Sequence, residues 1–123
     1  MTQRIALVTG ASSGIGRATA LLLAENGYYV FAVARRMDRL EQIRSDHIEP
    51  IRLDVIDEDA IHKTVNHVIL TKGRIDVLVN NAVHWGNPEH RGKIFEEMPL
   101  RQWQETLATN LFGTVKVTQR VVP

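Results

Sequence analysis

Thr9-Gly10-Ala11-Ser12-Ser13-Gly14-Ile15-Gly16 places three glycines between two runs of different periodicity. Before it stands Ile5-Ala6-Leu7-Val8, a short apolar and partly β-branched run of the kind that forms a fully buried parallel strand. After it, Ile15, Ala18, Leu22 and Leu23 fall at helical spacing, and Gly27 stands where a helix stop is expected. A turn from a buried strand into a helix gathers free backbone N–H groups and the positive end of the helix at one point, which suits a phosphate. Glycine serves there because the backbone turns tightly and must meet a ligand with no Cβ between them. The flanking strand and helix separate this reading from that of an ordinary connection.

Outward from this stretch the chain alternates strand and helix. Tyr28-Tyr29-Val30-Phe31-Ala32-Val33-Ala34 reads as a second buried strand, ending at Arg35-Arg36. Residues 37–46 read as a short, mostly exposed helix with Leu40 and Ile43 as its apolar positions. Pro50-Ile51-Arg52-Leu53-Asp54-Val55 is a third strand. Asp57 can cap a helix that carries Ile61, Val65, Val68 and Ile69 on one face, with Gly73 closing it. Ile75-Asp76-Val77-Leu78-Val79 is the fourth strand and runs into Asn80-Asn81-Ala82. Residues 83–99 turn polar and irregular, a loop of the length that compact domains reserve for function or motion. A last helix from about Leu100 toward Val122 has Trp103, Leu107, Leu111 and Val115 as its inward rows.

The 123 residues make one domain. Hydrophobic residues at 44%, charged residues at 24% and a net charge of +1 give no electrostatic case for nucleic acid or membrane as a partner. Without cysteine there is no disulfide framework and no thiolate metal site. Met1-Thr2-Gln3-Arg4 passes directly into the first strand with no room for a signal peptide, and no apolar run reaches membrane-spanning length, so a cytoplasmic location is expected. The histidines make no metal case. His62 and His67 do not share a helical face, and His84 and His90 lack matched carboxylates, so all are expected to be solvated.

Strands alternating with helices predict an α/β fold, a parallel sheet with right-handed crossovers. The glycine-rich first turn makes it doubly wound and Rossmann-type, with strand order 3-2-1-4 and the ligand over the carboxyl ends of strands 1 and 4. The end of strand 2 then faces the adenosine ribose. An acidic residue there would bind the ribose hydroxyls of NAD; Arg35 and Arg36 instead offer bidentate, charge-assisted bonds to a phosphate, so NADP is the expected cofactor over NAD. Asp54 and the following N–H can serve an adenine edge, or Asp54 can simply cap the next turn. Asn80 and Asn81 can tie neighbouring strand ends together, with Thr9 as a partner, or touch a ligand, and Ala82 leaves room for a flat group. Asn110 shares the face of Trp103, Leu107 and Leu111, as a satisfied core amide or as the holder of a water in a proton relay.

Together these residues resemble the N-terminal half of a short-chain dehydrogenase/reductase of the compact branch. Thr-Gly-x-x-x-Gly-x-Gly at Thr9 to Gly16, Arg35-Arg36, Asp54-Val55, Asn80-Asn81-Ala82 and Asn110-Leu111-Phe112-Gly113 stand in order where that family's motifs belong, across nearly the whole chain. The resemblance implies hydride transfer between a nicotinamide dinucleotide and a small carbonyl or alcohol substrate. It implies cofactor contacts from Gly10, Ser12, Ser13, Gly14, Ile15, Gly16, Arg35, Arg36, Asp54, Val55, Asn81 and Ala82, and a catalytic part for Asn110.

Two departures stand out. Val83 replaces the glycine usual after Asn-Asn-Ala, and the Tyr-x-x-x-Lys pair of the family's Asn-Ser-Tyr-Lys group is absent, since Tyr28 and Tyr29 are followed four positions later by Ala32 and Val33. A phenol with a pKa of about 10 needs a nearby cation to work near neutral pH. The chain stops at Val121-Val122-Pro123, before the family's fifth strand. Strand 4 is then expected to be an apolar edge, and the chain to pair as a homo-oligomer, swap elements, or belong to a longer protein. Two readings follow: the NADP-binding part of an oxidoreductase, inactive alone, or a truncated non-catalytic nucleotide-binding or dimerisation module.

Overall fold

A computed structural model describes residues 3–84 and 95–122. Four parallel strands, β1 (Ile5–Thr9), β2 (Tyr29–Ala34), β3 (Ile48–Arg52) and β4 (Val77–Val79), form one sheet in the order β3-β2-β1-β4. Between them run the helices α1 (Gly14–Glu25), α2 (Met37–Glu41) and α3 (Glu58–Lys72). After β4 come a single 3-10 turn at Phe95–Glu97, α4 (Leu100–Leu107), a π turn at Ala108–Gly113 and α5 (Thr114–Val121). The doubly wound α/β fold with strand order 3-2-1-4 is the one that the strand–helix alternation together with the glycine-rich first turn predicts.

The period-2 alternation of the strands sorts the core into two layers. Ile5, Leu7, Phe31 and Val33 face one side, where they bury Leu53, Ile61, Val65, Val68 and Val117 of the chain that follows β3, α3 and α5. Ala6, Val8, Val30 and Ala32 face the other side with Ala11, Ala20, Leu40, Ile43 and Ile48. The second layer is richer in alanine, so α1 lies close to the sheet. Gly73, at φ 83°, ends α3, and Asp57 caps its start by accepting the Ala60 N–H at 3.1 Å.

Several elements depart from the expected pattern. β3 spans Ile48–Arg52 rather than 50–55, because Asp54 closes a turn there: its Oδ1 accepts the Ile56 N–H at 3.2 Å and its C=O accepts the Asp57 N–H at 2.9 Å. Pro50 is tolerated because β3 is an edge strand. Helix α1 buries Gly16 and Ala20, with Leu23 half-buried, while Ile15 and Leu22 are exposed at 78% and 61%. Ile69 of α3 is also exposed. The last helix is broken by its π turn, and its buried residues are Gln102, Gly113 and Val117. Trp103, Leu107, Leu111 and Val115, expected inside, are all between 41% and 49% exposed. Of the expected 83–99 loop, residues 85–94 lie outside the described residues.

Two polar clamps close the ends of β1 against β4. At the amino end, Asp76 Oδ2 accepts the Ile5 N–H at 2.7 Å and Arg74 Nε at 2.9 Å. The Ile5 N–H and Arg74 hold the Asp76 carboxyl below the ordinary carboxylate value. At the carboxyl end, the buried Thr9 hydroxyl accepts the N–H groups of Asn81 at 2.9 Å and Ala82 at 3.0 Å, and donates to the Val79 C=O at 3.4 Å.

A carboxylate whose pKa is depressed by folding contributes stability above its unfolded value of about 3.9, and that contribution is lost as pH falls through the folded value. Asp76→Asn should therefore lower the urea midpoint at pH 7, with the gap to wild type closing as the pH falls below about 4; a gap that persists unchanged at pH 2 counts against the clamp. Thr9→Val keeps the side-chain shape and strands two N–H groups, so it should cost about 2–4 kcal/mol in urea unfolding, with Thr9→Ser within about 1 kcal/mol of wild type.

Candidate functional site

At the switch point of the sheet, between the carboxyl ends of β1 and β4, lies a cavity of about 440 Å³, within the size range of small-molecule sites. One end is built by the turn from β1 into α1. Gly10 has φ 62°, and a Cβ there would strike the Asn81 carbonyl. A Cβ on Gly16 would strike the Gly10 carbonyl oxygen, so both glycines are required by close approach. Gly14, at φ 55°, differs: a Cβ placed on it would meet open space. The first main-chain bond of α1 runs from the Arg17 N–H to the Ser13 C=O at 3.2 Å, so the N–H groups ahead of Arg17 have no acceptor one turn back within the helix. Ser13 starts the helix in extended backbone and its hydroxyl makes no cap bond.

Gly10, Ser12, Ser13, Gly14 and Ile15 all line the cavity, as do Arg35, Arg36, Asp54, Val55, Asn81 and Ala82. Of the expected cofactor-binding residues only Gly16 stands behind the wall, where it lets α1 pack on the β1 exit. The lining comes from the exits of all four strands: Gly10, Ser12, Ser13 and Gly14 after β1, Arg35 and Arg36 after β2, Leu53, Asp54 and Val55 after β3, and Asn81, Ala82 and Val83 after β4, joined by Arg39 of α2 and Thr109 of the π turn. Asp54 spends one carboxylate oxygen on its turn and still forms part of the wall.

Arg39 and Thr109 are wall residues that the sequence pattern did not single out. For Arg39 a signal existed: it lies four residues beyond Arg35 and directly before Leu40, whose burial sets the orientation of α2. Thr109 had none, because it reaches the wall from within the π turn. Arg36 Nη2 lies 3.4 Å from Asp38 Oδ2, with both side chains exposed. Partial desolvation raises the Asp38 carboxyl, and the Arg36 bond and charge outweigh it, so its pKa lies below the ordinary value. Neither Arg35 nor Arg39 has a carboxylate partner among the described residues.

Asn110 occupies a different place from the one its pattern suggested. It is exposed rather than buried, outside the cavity wall, and both ends of its amide are committed to the chain leaving β4. Oδ1 accepts the His84 N–H at 2.6 Å, and Nδ2 donates to the His84 C=O at 3.1 Å. The π turn offsets the helix so that Thr109 meets the cavity while Asn110 holds His84. Gly113 permits the approach, since a Cβ there would lie 2.6 Å from Val55 Cγ2. His84 is not solvated as expected: its Nε2 is buried with no partner among the described residues. His90 lies outside them. Asn81 ties the exits of β1 and β4 as expected, its side chain donating to the Gly10 C=O at 3.4 Å and its main-chain N–H to the Thr9 hydroxyl; Asn80 instead reaches α5, donating to Thr118 Oγ1 at 3.0 Å. Among the described residues no group of acidic, histidine or cysteine side chains is arranged to hold a metal, and no helix is long and apolar enough to cross a membrane.

The sequence matches the profile of the family described as short chain dehydrogenase over residues 4–123. Among curated proteins, it is 37% identical over 126 residues to a 3-oxoacyl-(acyl-carrier-protein) reductase, FabG, of Thermotoga maritima, covering 98% of this chain and 49% of that protein. It is 36% identical to a probable NADP-dependent dehydrogenase of Haemophilus influenzae, covering 100% of this chain and 48% of that one. The chain thus spans about half the length of the curated relatives it matches. Among solved structures, a short-chain dehydrogenase from Streptomyces avermitilis superposes with a TM-score of 0.90 at 35% identity, over 100% of this chain and 44% of that one. A metagenomic short-chain oxidoreductase in complex with NADP superposes with a TM-score of 0.89 at 30% identity, over 100% of this chain and 57% of its own. With its fold, its glycine turn and this profile in agreement, the chain belongs to the short chain dehydrogenase family, matching the N-terminal half of its relatives.

Proposed function

We propose that this chain is the NADP(H)-binding part of an oxidoreductase acting on a small carbonyl or alcohol substrate. One observation carries the reading: a single cavity is lined both by the glycine turn and by Arg35, Arg36 and Arg39, with no carboxylate at the end of β2. The open space beside Gly14 and the N–H groups ahead of Arg17 suit a pyrophosphate, and the guanidiniums suit a further phosphate on the ribose. Ser12 and Ser13 would add hydroxyl donors to the pyrophosphate, Asp54 and Val55 would meet the base, and Asn81 and Ala82 would border the path toward the nicotinamide. When bound, the dinucleotide supplies a hydride donor or acceptor for a carbonyl or carbinol carbon. Asn110 acts here as a positioning residue, holding the chain beyond β4 through His84.

A second reading is favoured by the wall itself. Among the described residues that line it there is no tyrosine, lysine or histidine, the groups best able to move a proton to or from a carbonyl oxygen near neutral pH. On that reading the 123-residue chain binds cofactor without turning it over.

Titration of the full chain should show NADP+ bound at least about tenfold more tightly than NAD+, the scale of one hydrogen-bonded charge pair, and Arg35→Ala should cut that preference to about threefold or less. Tighter binding of NAD+ overturns the cofactor assignment. Absorbance at the nicotinamide band, followed with NADPH and a panel of aldehydes and ketones, should show no enzymatic oxidation by the 123-residue chain; clear turnover would sink the non-catalytic reading.

A further inference from the structure

The end of α1, remote in sequence from the cavity-lining turn at its start, carries a reactive pair. To leave the helix the chain needs a residue in left-handed backbone, and Gly27, at φ 90°, supplies it without strain. The last carbonyls of the helix need donors. Asn26 gives two to one acceptor, its main-chain N–H reaching the Leu22 C=O at 3.1 Å and its Nδ2 reaching the same oxygen at 2.8 Å. These two requirements put an asparagine directly before a glycine. Gly73, which stops α3, follows Lys72 and brings no such chemistry.

An asparagine before glycine is open to attack by its own backbone. The Gly27 nitrogen can add to the Asn26 side-chain carbon, since glycine has no Cβ to crowd the five-membered ring that forms. The surroundings are open as well: a Cβ built on Gly27 would meet nothing within 4 Å, and both residues are exposed, so water and base reach them. The cap itself restrains the reaction. The Gly27 N–H is donated to the Ala24 C=O at 3.2 Å, the Asn26 amide is held at Leu22, and closing the ring needs a rotation of Asn26 away from its ψ of 21°. Both bonds must therefore let go first. They belong to the end of a helix, where local opening costs least.

We propose that Asn26 is a site of spontaneous covalent modification, converted to aspartate and isoaspartate through a cyclic imide, with water as co-reactant and fraying of the last turn of α1 as its gate. The Gly27 N–H gives its proton to a solvent base, the bond from that nitrogen to Asn26 Cγ forms, and the Cγ–Nδ2 bond breaks with ammonia as the leaving group. Water then opens the imide at either of its carbonyls, giving aspartate or isoaspartate. The net change is NH exchanged for O, and nothing is oxidised or reduced. The product has no donor for the Leu22 C=O, and it sets a carboxylate beside Glu25 at the negative end of the helix dipole. The isoaspartate form also lengthens the main chain ahead of β2, whose start is fixed by the Tyr29 N–H on the Arg4 C=O at 2.9 Å. No other asparagine of the chain precedes glycine, and Asn87 precedes proline, which has no N–H to lose. The cavity takes no part, so the inference stands apart from the cofactor reading.

The full chain, kept native in mildly alkaline buffer and sampled over time, can be cut with trypsin and its peptide of residues 18–35 followed by mass spectrometry. That peptide should gain the mass of O over NH and split into two new species, one of them methylated by an isoaspartyl methyltransferase, while peptides holding the other asparagines stay unchanged. The conversion should quicken as the buffer is made more alkaline. In guanidinium chloride, with both cap bonds gone, it should run about tenfold faster or more. Aged chain should unfold at lower urea than fresh chain. Asn26→Gln, which would have to close a six-membered ring, should lose both the mass change and that fall in stability. An Asn26 that stays intact in the native chain while it converts in denaturant overturns the proposal, as does earlier conversion of another asparagine. Equal rates in native and unfolded chain overturn the gate.

Discussion

The contact between the first turn of α1 and the exits of β1 and β4 is the constraint on which the site depends. A methyl group at Gly16 would strike the Gly10 carbonyl oxygen, and one at Gly10 would strike the Asn81 carbonyl. Three pieces of backbone therefore meet closely, with the Asn81 amide beside Gly16 and donating to the Gly10 C=O at 3.4 Å. The arrangement holds because the Thr9 hydroxyl accepts the N–H groups of Asn81 and Ala82, leaving neither unpaired in the interior. The alanines at positions 6, 11, 20 and 32 extend the same close packing down the layer beneath α1. The cavity begins where that packing ends, on the open side of Gly14.

The opposite layer carries the larger side chains, and it positions the far half of the site. Phe31, Val33, Leu53, Ile61 and Val117 bury the faces of β2, α3 and α5 together. Val55 belongs to that layer, forms part of the cavity wall and packs against Gly113. The π turn spaces the last helix so that Thr109 faces the cavity and Asn110 holds His84 by two hydrogen bonds. One helix thus serves the wall and the chain beyond β4 at once. The apolar residues it leaves exposed, Trp103, Leu107, Leu111 and Val115, form a face that no described residue covers fully, with the Phe95 ring meeting Trp103 edge-on at 5.5 Å between centroids.

Much of the fold was legible in local sequence. The buried strand before Thr9, the glycine spacing after it, the Asp57 cap and the Gly73 stop each rest on neighbours a few residues away, and each stands in the structure. Helix faces were less legible. Apolar residues at helical spacing in α1 and in the last helix named Ile15, Leu22, Trp103 and Leu107, all of which are exposed. Periodicity records which residues are apolar, and close packing on a sheet selects small residues such as Gly16, Ala20 and Gly113, which carry almost no apolar signal.

The sequence by itself determined the strands, the glycine turn and the basic end of β2, because strand period, turn stereochemistry and charge are properties of short segments, and it pointed to the 3-2-1-4 order through the rule for doubly wound folds that open on such a turn. Tertiary structure alone decided three things. Arg39 joins Arg35 at the cavity because the burial of Leu40 turns α2. Asn110 binds the His84 main chain because a π turn displaces it from the inward face. Gly16 belongs to the packing rather than to the cavity wall because α1 presses it against Gly10. Each depends on how an element is turned or pressed by its neighbours, and even where spacing hinted at it, as for Arg39, spacing does not fix that orientation.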